Sequence, residues 1–233
     1  MNEGLIQGVT TMRAAEKRLE TIAANLANVD SNGFKRTTAT IREFERVLRG
    51  RTEREISTKL QHNFSQGALR STGQPYDLAL AGEGFFTIEG ANGEMYTRDG
   101  RFFVDDKGVL QTFEGLPVVW DGARGAIDPA GNTVTVDAEG TVRQGQTQVG
   151  KLRLADFEDK TALTVDSRGF FVAQPSAVPK AFVGQVRQGH LELSNVSSVE
   201  EMVALIAVQR QFEAGARVMS SIDQTYRRLT SPR

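Results

Sequence analysis

The sequence predicts an α+β protein in which helices at the two chain ends flank a central β region. Three observations predict it: a heptad repeat near the N-terminus, a second near the C-terminus, and alternation of period two between them. Narrow apolar stripes of period seven are typical of helices that pack lengthwise along a partner helix. We therefore expect two coiled-coil helices, discontinuous in sequence, to form one helical end domain, next to a central all-β domain of barrel or sandwich type.

The N-terminal stripe repeats every seventh residue and then stops at a turn sequence. Its first set of heptad positions is Leu5, Met12, Leu19 and Leu26, and its second set is Gly8, Ala15, Ile22 and Val29. The repeat ends at the sequence Asp30–Gly33, where Asn and Gly tolerate the positive φ of a helix stop. Because a β-branched residue resists positive φ, we expect Gly33→Val to disrupt this turn.

The C-terminal stripe has the same spacing. Its heptad positions are Leu205, Phe212, Met219 and Tyr226, followed three residues later by Val208, Gly215, Ile222 and Leu229. Ser198 and Glu201 fit a capping box, with Ser198 as the N-cap of the helix. We expect this helix to pair with the N-terminal one. The alternative is two ordinary surface helices on a globular core.

Short β-rich runs separated by Asn-Gly and Asp-Gly turns fill the middle of the chain, which is the pattern of β-hairpins. The predicted strands are Phe85–Glu89, Glu94–Arg98, Arg101–Val104, Leu110–Phe113, Pro117–Trp120, Thr133–Asp137, Thr141–Arg143, Gly150–Phe157 and Gly169–Ala173. Strands at this spacing predict a β barrel or sandwich over residues 75–186.

The segment before the β region is rich in Arg and Glu and is predicted to be a solvated connector. Part of Ile41–Glu55 is expected to be helical. Farther along, Gln66–Ser71 resembles Gln188–Ser194, so we expect two extended segments to run side by side. The predicted organisation is a helix and turn (1–36), a connector (37–74), a β domain (75–186), and a return segment with the second helix (187–233).

Composition excludes several classes of function. The formal net charge is -1, so no overall field attracts nucleic acid, and the absence of cysteine removes disulfides and thiolate sites. No apolar run approaches the roughly 18 residues of a transmembrane helix. The N-terminus lacks the basic and apolar regions of a secretory signal peptide. We expect no nucleic-acid partner, no membrane insertion and no cleaved signal.

The sequence offers no constellation of catalytic residues. His62 and His190 are the only histidines and lack the spacing of a metal site, so each is expected to be a surface or hydrogen-bonding residue. Asp105–Gly108 is interpreted as a β-turn rather than a calcium loop. Gly82–Phe85 lacks the third glycine of a dinucleotide fingerprint and the lysine of a P-loop. We expect no enzyme activity, no cofactor and no metal.

Several motifs, taken in order, resemble the bacterial flagellar basal-body rod and hook family. The N-terminal signature is AANLANVDSNGFK, Ala23–Lys35. The other matching segments are Gln66–Leu69, Asp77–Phe86, Tyr96–Gly100, Gly189–Val196 and Met202–Tyr226. Ala24 stands where relatives often have Asn, and Ser31 where Thr is frequent. The resemblance spans almost the whole chain and implies a structural axial subunit.

In this family the terminal helices pair and line the inner tube of a hollow helical assembly, with β domains outside. The resemblance therefore implies an assembly interface at the larger heptad residues: Leu5, Met12, Leu19, Ile22, Leu26, Val29, Leu205, Val208, Phe212, Met219, Ile222, Tyr226 and Leu229. It implies that the signature turn is formed by Asn25, Asn28, Asn32, Gly33 and Phe34. The implied partners are copies of this chain, other rod and hook subunits, and the flagellar export apparatus. The implied location is the periplasmic rod of the basal body.

Within the family, the compact chain favours a proximal rod subunit of the F type. The alternatives are a distal rod subunit of the G type or a hook-type subunit, although a hook subunit would carry a larger middle region. A different class of protein, a coiled-coil oligomer that displays a ligand-binding β domain, stays open on the residues alone. We also expect the terminal helices to order on assembly, because narrow seams on polar helices bury little surface.

Overall fold

Helices at the two ends of the chain and strands between them make an α+β protein. The computed structural model describes residues 2–48, 51–123 and 125–230, and the side chains of residues 8–40, 59–123 and 125–228. The chain divides into two compact units. The helix–hairpin unit comprises the described parts of Met1–Val29, Arg36–Asn63 and Val196–Arg233. The β unit comprises Asp30–Lys35 and Phe64–Asn195.

Two helices and one hairpin build the helix–hairpin unit. Helix α1 spans Asn2–Ala27 and helix α2 spans Ser198–Thr230. Strands β1 (Thr37–Leu48) and β2 (Arg51–His62) pair along their whole length in antiparallel register. Both helices have an apolar face, and α1 packs on α2 as the two stripes predict.

The hairpin overturns the expectation of a partly helical connector. Its backbone register places Glu45 opposite Arg54 and Arg46 opposite Glu53. The charge density that suggested a solvated, partly helical segment is thus compatible with a β-hairpin, and the helical expectation for Ile41–Glu55 was wrong.

The β unit contains fifteen short strands among its described residues. They are β3 (Leu69–Ser71), β4 (Leu78–Glu83), β5 (Phe85–Gly90), β6 (Gly93–Thr97), β7 (Phe102–Val104), β8 (Leu110–Thr112), β9 (Val134–Val136), β10 (Thr141–Gln144), β11 (Thr147–Lys151), β12 (Leu154–Phe157), β13 (Leu163–Val165), β14 (Phe171–Ala173), β15 (Pro179–Ala181), β16 (Val183–Gln188) and β17 (His190–Glu192). A single 3₁₀ turn, Lys160–Ala162, precedes β13.

One six-stranded sheet and several smaller ladders organise these strands. The large sheet has the order β13-β14-β6-β5-β12-β15, and its pairs are antiparallel. Smaller ladders are β11-β10-β9, β16-β4, β17-β3 and β7-β8. Side chains such as Phe86, Ile88, Val142 and Leu152 are almost completely buried in the main core of this unit.

Two of the predicted strands differ from the structure. Pro117–Trp120 makes only isolated bridges, because its residues pair with three different segments of the chain, at Gln111, Ile88 and Leu152. Gly150–Phe157 divides into the end of β11 and β12, because Leu152 and Arg153 interrupt the run between the two ladders. The predicted pairing of Gln66–Ser71 with Gln188–Ser194 is confirmed by the β3-β17 ladder.

Candidate assembly site

The seam between α1 and α2 has a small buried centre. Among the side chains described, Ala15, Ile22 and Val208 are buried there. Leu19, Leu205 and Phe212 pack against them but keep part of their surface exposed. The heptad positions thus face the partner helix, and most of them are incompletely covered within one chain.

Glycine allows the helices to approach at two points of the seam. A Cβ on Gly8 would overlap the thioether sulfur of Met219, and a Cβ on Gly215 would lie 3.2 Å from Cγ of Met12. Residue numbers rise along α1 as they fall along α2, so the pair is antiparallel. At both points a methionine of one helix covers a glycine of the other, which explains glycine within a heptad stripe.

The remaining predicted interface positions lie in the two helices, except Val29, which follows the end of α1 at Ala27. Leu26, Val29, Ile222 and Tyr226 are half-buried, as are Met12 and Met219. Leu5 and Leu229 have side chains outside the described residues. The structure therefore brings the inner heptad positions together.

Asn25 connects the end of α1 to the start of β1. Its side-chain nitrogen donates to the Thr37 carbonyl oxygen at 2.8 Å, and its side-chain oxygen accepts from the Thr37 N–H at 2.9 Å. The amide thus satisfies both backbone groups of one residue, and Asn25 is buried while it does so. Asn28 donates to the Ala24 carbonyl at 2.9 Å, which satisfies one of the free acceptors at the helix end.

Glu201 joins α2 to the same junction. Its buried carboxylate accepts from Arg36 Nε at 2.5 Å and from Asn25 Nδ2 at 3.3 Å. The predicted capping box was wrong in its residues, because Ser197 rather than Ser198 caps α2. Ser197 Oγ accepts from the Glu200 N–H at 3.4 Å. Glu201 is therefore available for the contacts with Asn25 and Arg36 that hold the three segments together.

Gly33 forms a turn at the start of the β unit, six residues after α1 ends at Ala27, and it has the positive φ that the sequence predicts. Its φ is +68°, and its N–H donates to the Glu192 carbonyl oxygen at 2.7 Å. A Cβ at Gly33 would overlap the backbone of Arg98 and Asp99. Both the positive φ and this close approach therefore require glycine. Of the other signature residues, Asn32 and Phe34 are half-buried.

A buried cluster of charges lies immediately after this turn. The Glu192 carboxylate is fully buried and contacts Lys35 Nζ at 2.5 Å and Arg98 Nη1 at 3.0 Å. It also accepts from the Gly67 N–H at 3.0 Å. Burial lowers the pKa of Lys35 and of Arg98, and the neighbouring Glu192 opposes the shift in each case. The cluster fixes Lys35, Gly67 and Arg98 around one carboxylate.

Sequence reasoning missed the buried ion-pair roles of five charged residues: Lys35, Arg36, Arg98, Glu192 and Glu201. Lys35 was noted only as part of the signature, and Glu201 was assigned to a capping box. Lys35 and Arg36 directly follow the signature turn, which was the available signal for them. Glu192 and Glu201 stand among apolar residues, at positions where a carboxylate needs a buried partner. Those partners lie 94 to 176 residues away in sequence, so their identity could not be read from local pattern.

The two histidines and the Asp105–Gly108 segment, which were considered as possible metal sites, make structural contacts. His62 Nδ1 lies 3.0 Å from Thr37 Oγ1, and His190 Nδ1 lies 2.8 Å from the Gln188 carbonyl oxygen. The Asp105–Gly108 turn is closed by the Gly108 N–H, which donates to the Asp105 carbonyl oxygen at 2.9 Å. Within residues 2–48, 51–123 and 125–230, no group of His, Asp and Glu is arranged to hold a metal ion, and neither helix is long and apolar enough to cross a membrane.

Three family models match the chain in the order of its structural parts. The model described as "Flagella basal body rod protein" matches residues 7–35. The "Flagellar hook protein FlgE/F/G D1 domain" matches residues 79–144, and the "Flagellar basal body rod FlgEFG protein C-terminal" matches residues 187–231. The matches cover the signature turn, part of the β unit and helix α2.

Curated relatives match over nearly the full length. The flagellar basal-body rod protein FlgF of Caulobacter vibrioides is 34% identical, over 95% of this chain and 94% of that protein. FlgF of Mesorhizobium japonicum is also 34% identical, over 99% of each chain. The rod protein FlgG of Bacillus subtilis is 27% identical, over 99% of each. This chain belongs to the flagellar basal-body rod proteins of the F/G type and is a structural subunit of the rod.

Proposed function

We propose that this subunit polymerises through its paired terminal helices into a hollow helical drive shaft. The observation that carries the proposal is the incompletely buried seam, in which Leu19, Leu205 and Phe212 keep exposed apolar surface. Burial of an aliphatic side chain contributes roughly 1.5–3 kcal/mol, so neighbouring subunits that cover this surface would stabilise the helices. Supercoiling of the pair into a coiled coil is part of the proposal.

The contacts at the ends of the helices support different roles for different parts of the chain. Residues 1–36 and 187–233 are proposed to act in assembly and residues 75–186 to form the β domain, although Asp30–Lys35 and Phe64–Asn195 fold together as one unit. Asn25, Arg36 and Glu201 hold the ends of both helices to the start of the hairpin, which spans most of the proposed 37–74 connector. A heterologous contact repeated from subunit to subunit builds a helical array when it does not close into a ring.

The proximal rod is the proposed position. FlgF proteins at 34% identity over almost the whole chain support it, and FlgG proteins at 27–32% support the distal rod as the alternative. The proposed partners are other rod and hook subunits and the flagellar export apparatus. The proposed compartment is the periplasm, reached without a cleaved signal peptide, and the proposed role is structural rather than enzymatic.

The test is deletion of the gene, with complementation by seam variants. We expect deletion to abolish the rod and motility, and the unmodified chain to restore both and to appear in isolated basal bodies. Val208→Asp should fail to restore them, because Val208 is buried in the seam, whereas Gln211→Asp at an exposed position of the same helix should succeed. Motility without the gene, or a discrete soluble oligomer as the functional form, would favour a coiled-coil protein that displays a ligand-binding β domain.

A further inference from the structure

Helix α2 has a second apolar surface, which does not belong to the seam. Its members are exposed, and they are Val199 (65%), Met202 (45%), Val203 (63%) and Ile206 (50%). We call these four residues the α2 ridge. They follow the i, i+3, i+4, i+7 spacing of one helix face and occupy about two turns. The same face continues with Arg210, Glu213 and Arg217, all of them exposed.

The ridge lies on the side of α2 opposite the seam. A helix turns by about 100° per residue, so Ile206 lies about 200° from Val208 in the seam centre. If α2 made contacts only within its own chain, we would expect polar side chains on this solvent-facing side of the helix. The ridge side chains are nevertheless about half or more exposed within the chain. Their exposure points to a partner outside the chain.

We propose that the α2 ridge binds an exposed flank of α1 in a second copy of this chain, about a quarter of a turn from the seam residues of α1. That flank, which we call the α1 stripe, is formed by exposed residues at helical spacing: Val9, Glu16, Glu20, Ala23 and Ala27. Ala23 and Ala27 have small side chains, so bulky residues of the ridge can pack close to the α1 backbone. The inference rests on the proposed function, because it names the contact between neighbouring copies in the rod.

Charge complementarity supports this occupant. If α1 of a second copy lies antiparallel on the ridge with Ala23 opposite Val203, the equal rise of both helices puts Ala27 opposite Val199 and Glu16 opposite Arg210. Both Glu16 and Arg210 are exposed, and neither forms an ion pair within the described part of the chain.

Glu20 faces Ile206 in this register. Its carboxylate is already paired with Lys17 at 2.7 Å, so its aliphatic stem is available for packing against the ridge. The register is close to that of the intrachain pair, in which Gly8 meets Met219 and Met12 meets Gly215. Neighbouring copies would therefore stand at nearly the same height along the helix axes.

The size of the ridge agrees with a contact that forms only in an array. Stable protein pairs bury about 1,200–2,000 Å² in total, whereas four exposed side chains provide on the order of a few hundred. Two isolated copies would therefore not form a stable dimer through the ridge. In an array each copy contributes its ridge to one neighbour and its α1 stripe to another.

The first experiment compares matched substitutions on α2 in the full chain, expressed in the deletion strain. Val203→Glu and Ile206→Glu should reduce recovery of the chain in basal bodies at least tenfold and abolish motility. Val218→Glu is the control, because Val218 is 56% exposed but lies 12 residues, about 18 Å, beyond Ile206 along the helix. Far-UV circular dichroism should be the same for all three purified proteins. Wild-type assembly by the ridge variants, or equal loss with Val218→Glu, would overturn the inference.

The second experiment uses disulfide cross-linking to identify what binds the α2 ridge. Only the introduced cysteines of this chain can react, because its sequence contains no cysteine. Val203→Cys and Ala23→Cys chains are co-expressed, so a bond between the two positions can form only between copies. Mild oxidation of isolated basal bodies should give a dimer of twice the chain mass, and a Val218→Cys and Ala23→Cys pair should not. Cross-linking only to another protein, or no dimer from chains present in basal bodies, would overturn the inference and leave the rod function intact. Absence of the unmodified chain from basal bodies would overturn the proposed function as well.

Discussion

The β core and the helical seam bury their apolar residues to very different degrees. In the β unit, Phe86 and Ile88 are completely buried, within a cluster of sixteen buried residues. In the seam the buried cluster consists of Ala15, Ile22 and Val208, among the side chains described. The β unit thus contains the contacts that stabilise it, whereas the two long helices depend on a narrow contact.

This difference in apolar burial matters because burial must offset the conformational entropy lost when the helices become ordered. Helices α1 and α2 contain 26 and 33 residues, and ordering the backbone costs about 1–2 kcal/mol per residue before any contact is counted. Backbone hydrogen bonds and a few half-buried side chains offset that cost only in part. We infer that the helices gain much of their stability from neighbours, as the apolar α2 ridge also indicates.

Hydrogen exchange on the dilute monomer tests directly whether the β unit is more stable than the helices. We expect the difference in amide exchange rates to be the largest effect among these predictions. Amides of β5 and β6 should exchange only through unfolding of the β unit, because their strands border the buried core. Amides of α1 should exchange at least about a thousandfold faster, as segments of low local stability do. Equally slow exchange across Leu5–Val29 would show that the seam alone is sufficient to order the helix.

Removal of the buried carboxylate of Glu192 should produce the largest change in equilibrium stability. Glu192→Ala leaves Lys35 and Arg98 buried without a counter-charge, which is expected to cost about 3–5 kcal/mol. Urea unfolding followed by Trp120 fluorescence would measure the loss in the β unit. Glu94→Ala is the matched control, because its ion pair with Arg153 is exposed and is worth at most about 1 kcal/mol. Similar losses for the two variants would contradict the role given to the buried cluster.

Alanine substitutions at Gly33 and Gly73 distinguish the cost of backbone strain from the cost of a steric overlap. Both residues have positive φ, +68° and +70°, but a Cβ at Gly73 meets open space. Gly73→Ala should therefore cost only the conformational penalty of about 1–2 kcal/mol. Gly33→Ala should cost about 1–3 kcal/mol more, because its Cβ overlaps the Arg98–Asp99 backbone. The same unfolding assay measures both, and equal losses would mean that strain alone explains the requirement for glycine.

The sequence predicts the parts of this fold that are set by local pattern. The heptad stripes place both helices, Asn and Gly place the turn at Gly33, and the echo between Gln66–Ser71 and Gln188–Ser194 anticipates the β3-β17 ladder. Each of these is a repeated spacing or a backbone preference, which can be read without knowing the partner. The hairpin β1-β2 was missed because Ile41, Phe44 and Val47 recur every third position, which is closer to a helical spacing than to the alternation typical of a strand.

The candidate site was predicted less completely than the fold. The heptad rule identifies the seam residues, but it gives no sign that Asn25 would bind the backbone of Thr37. For the same reason the Glu192 carboxylate was overlooked and the Glu201 carboxylate was assigned to a capping box. A buried charge is compatible with the fold only when distant residues meet it, and the segments that supply them come together only in three dimensions.

Substitution of Asp156 should give the smallest change in stability, and it tests the contribution of charge within the β unit. Burial alone would raise the pKa of Asp156, but the Phe157 N–H and the ammonium groups of Lys180 and Lys160 outweigh burial and hold the pKa below its usual value. The folded chain therefore binds fewer protons than the unfolded chain between the two pKa values. The stabilisation is fully present above the unfolded-state pKa and is lost as the pH falls through the folded-state value.

Asp156→Asn should lower the stability of the β unit at neutral pH by on the order of 1 kcal/mol, since the Lys180 partner is half-exposed. In strongly acidic solution the variant and the unmodified chain should converge, because Asp156 is then protonated and its ion pairs are gone. Urea unfolding across the acid range would measure the difference, with Asp121→Asn at an exposed position as the control. A difference that stays constant with pH would assign the effect to packing. Convergence would instead show that charge, rather than shape, is what Asp156 contributes to a unit whose stability is otherwise dominated by apolar burial.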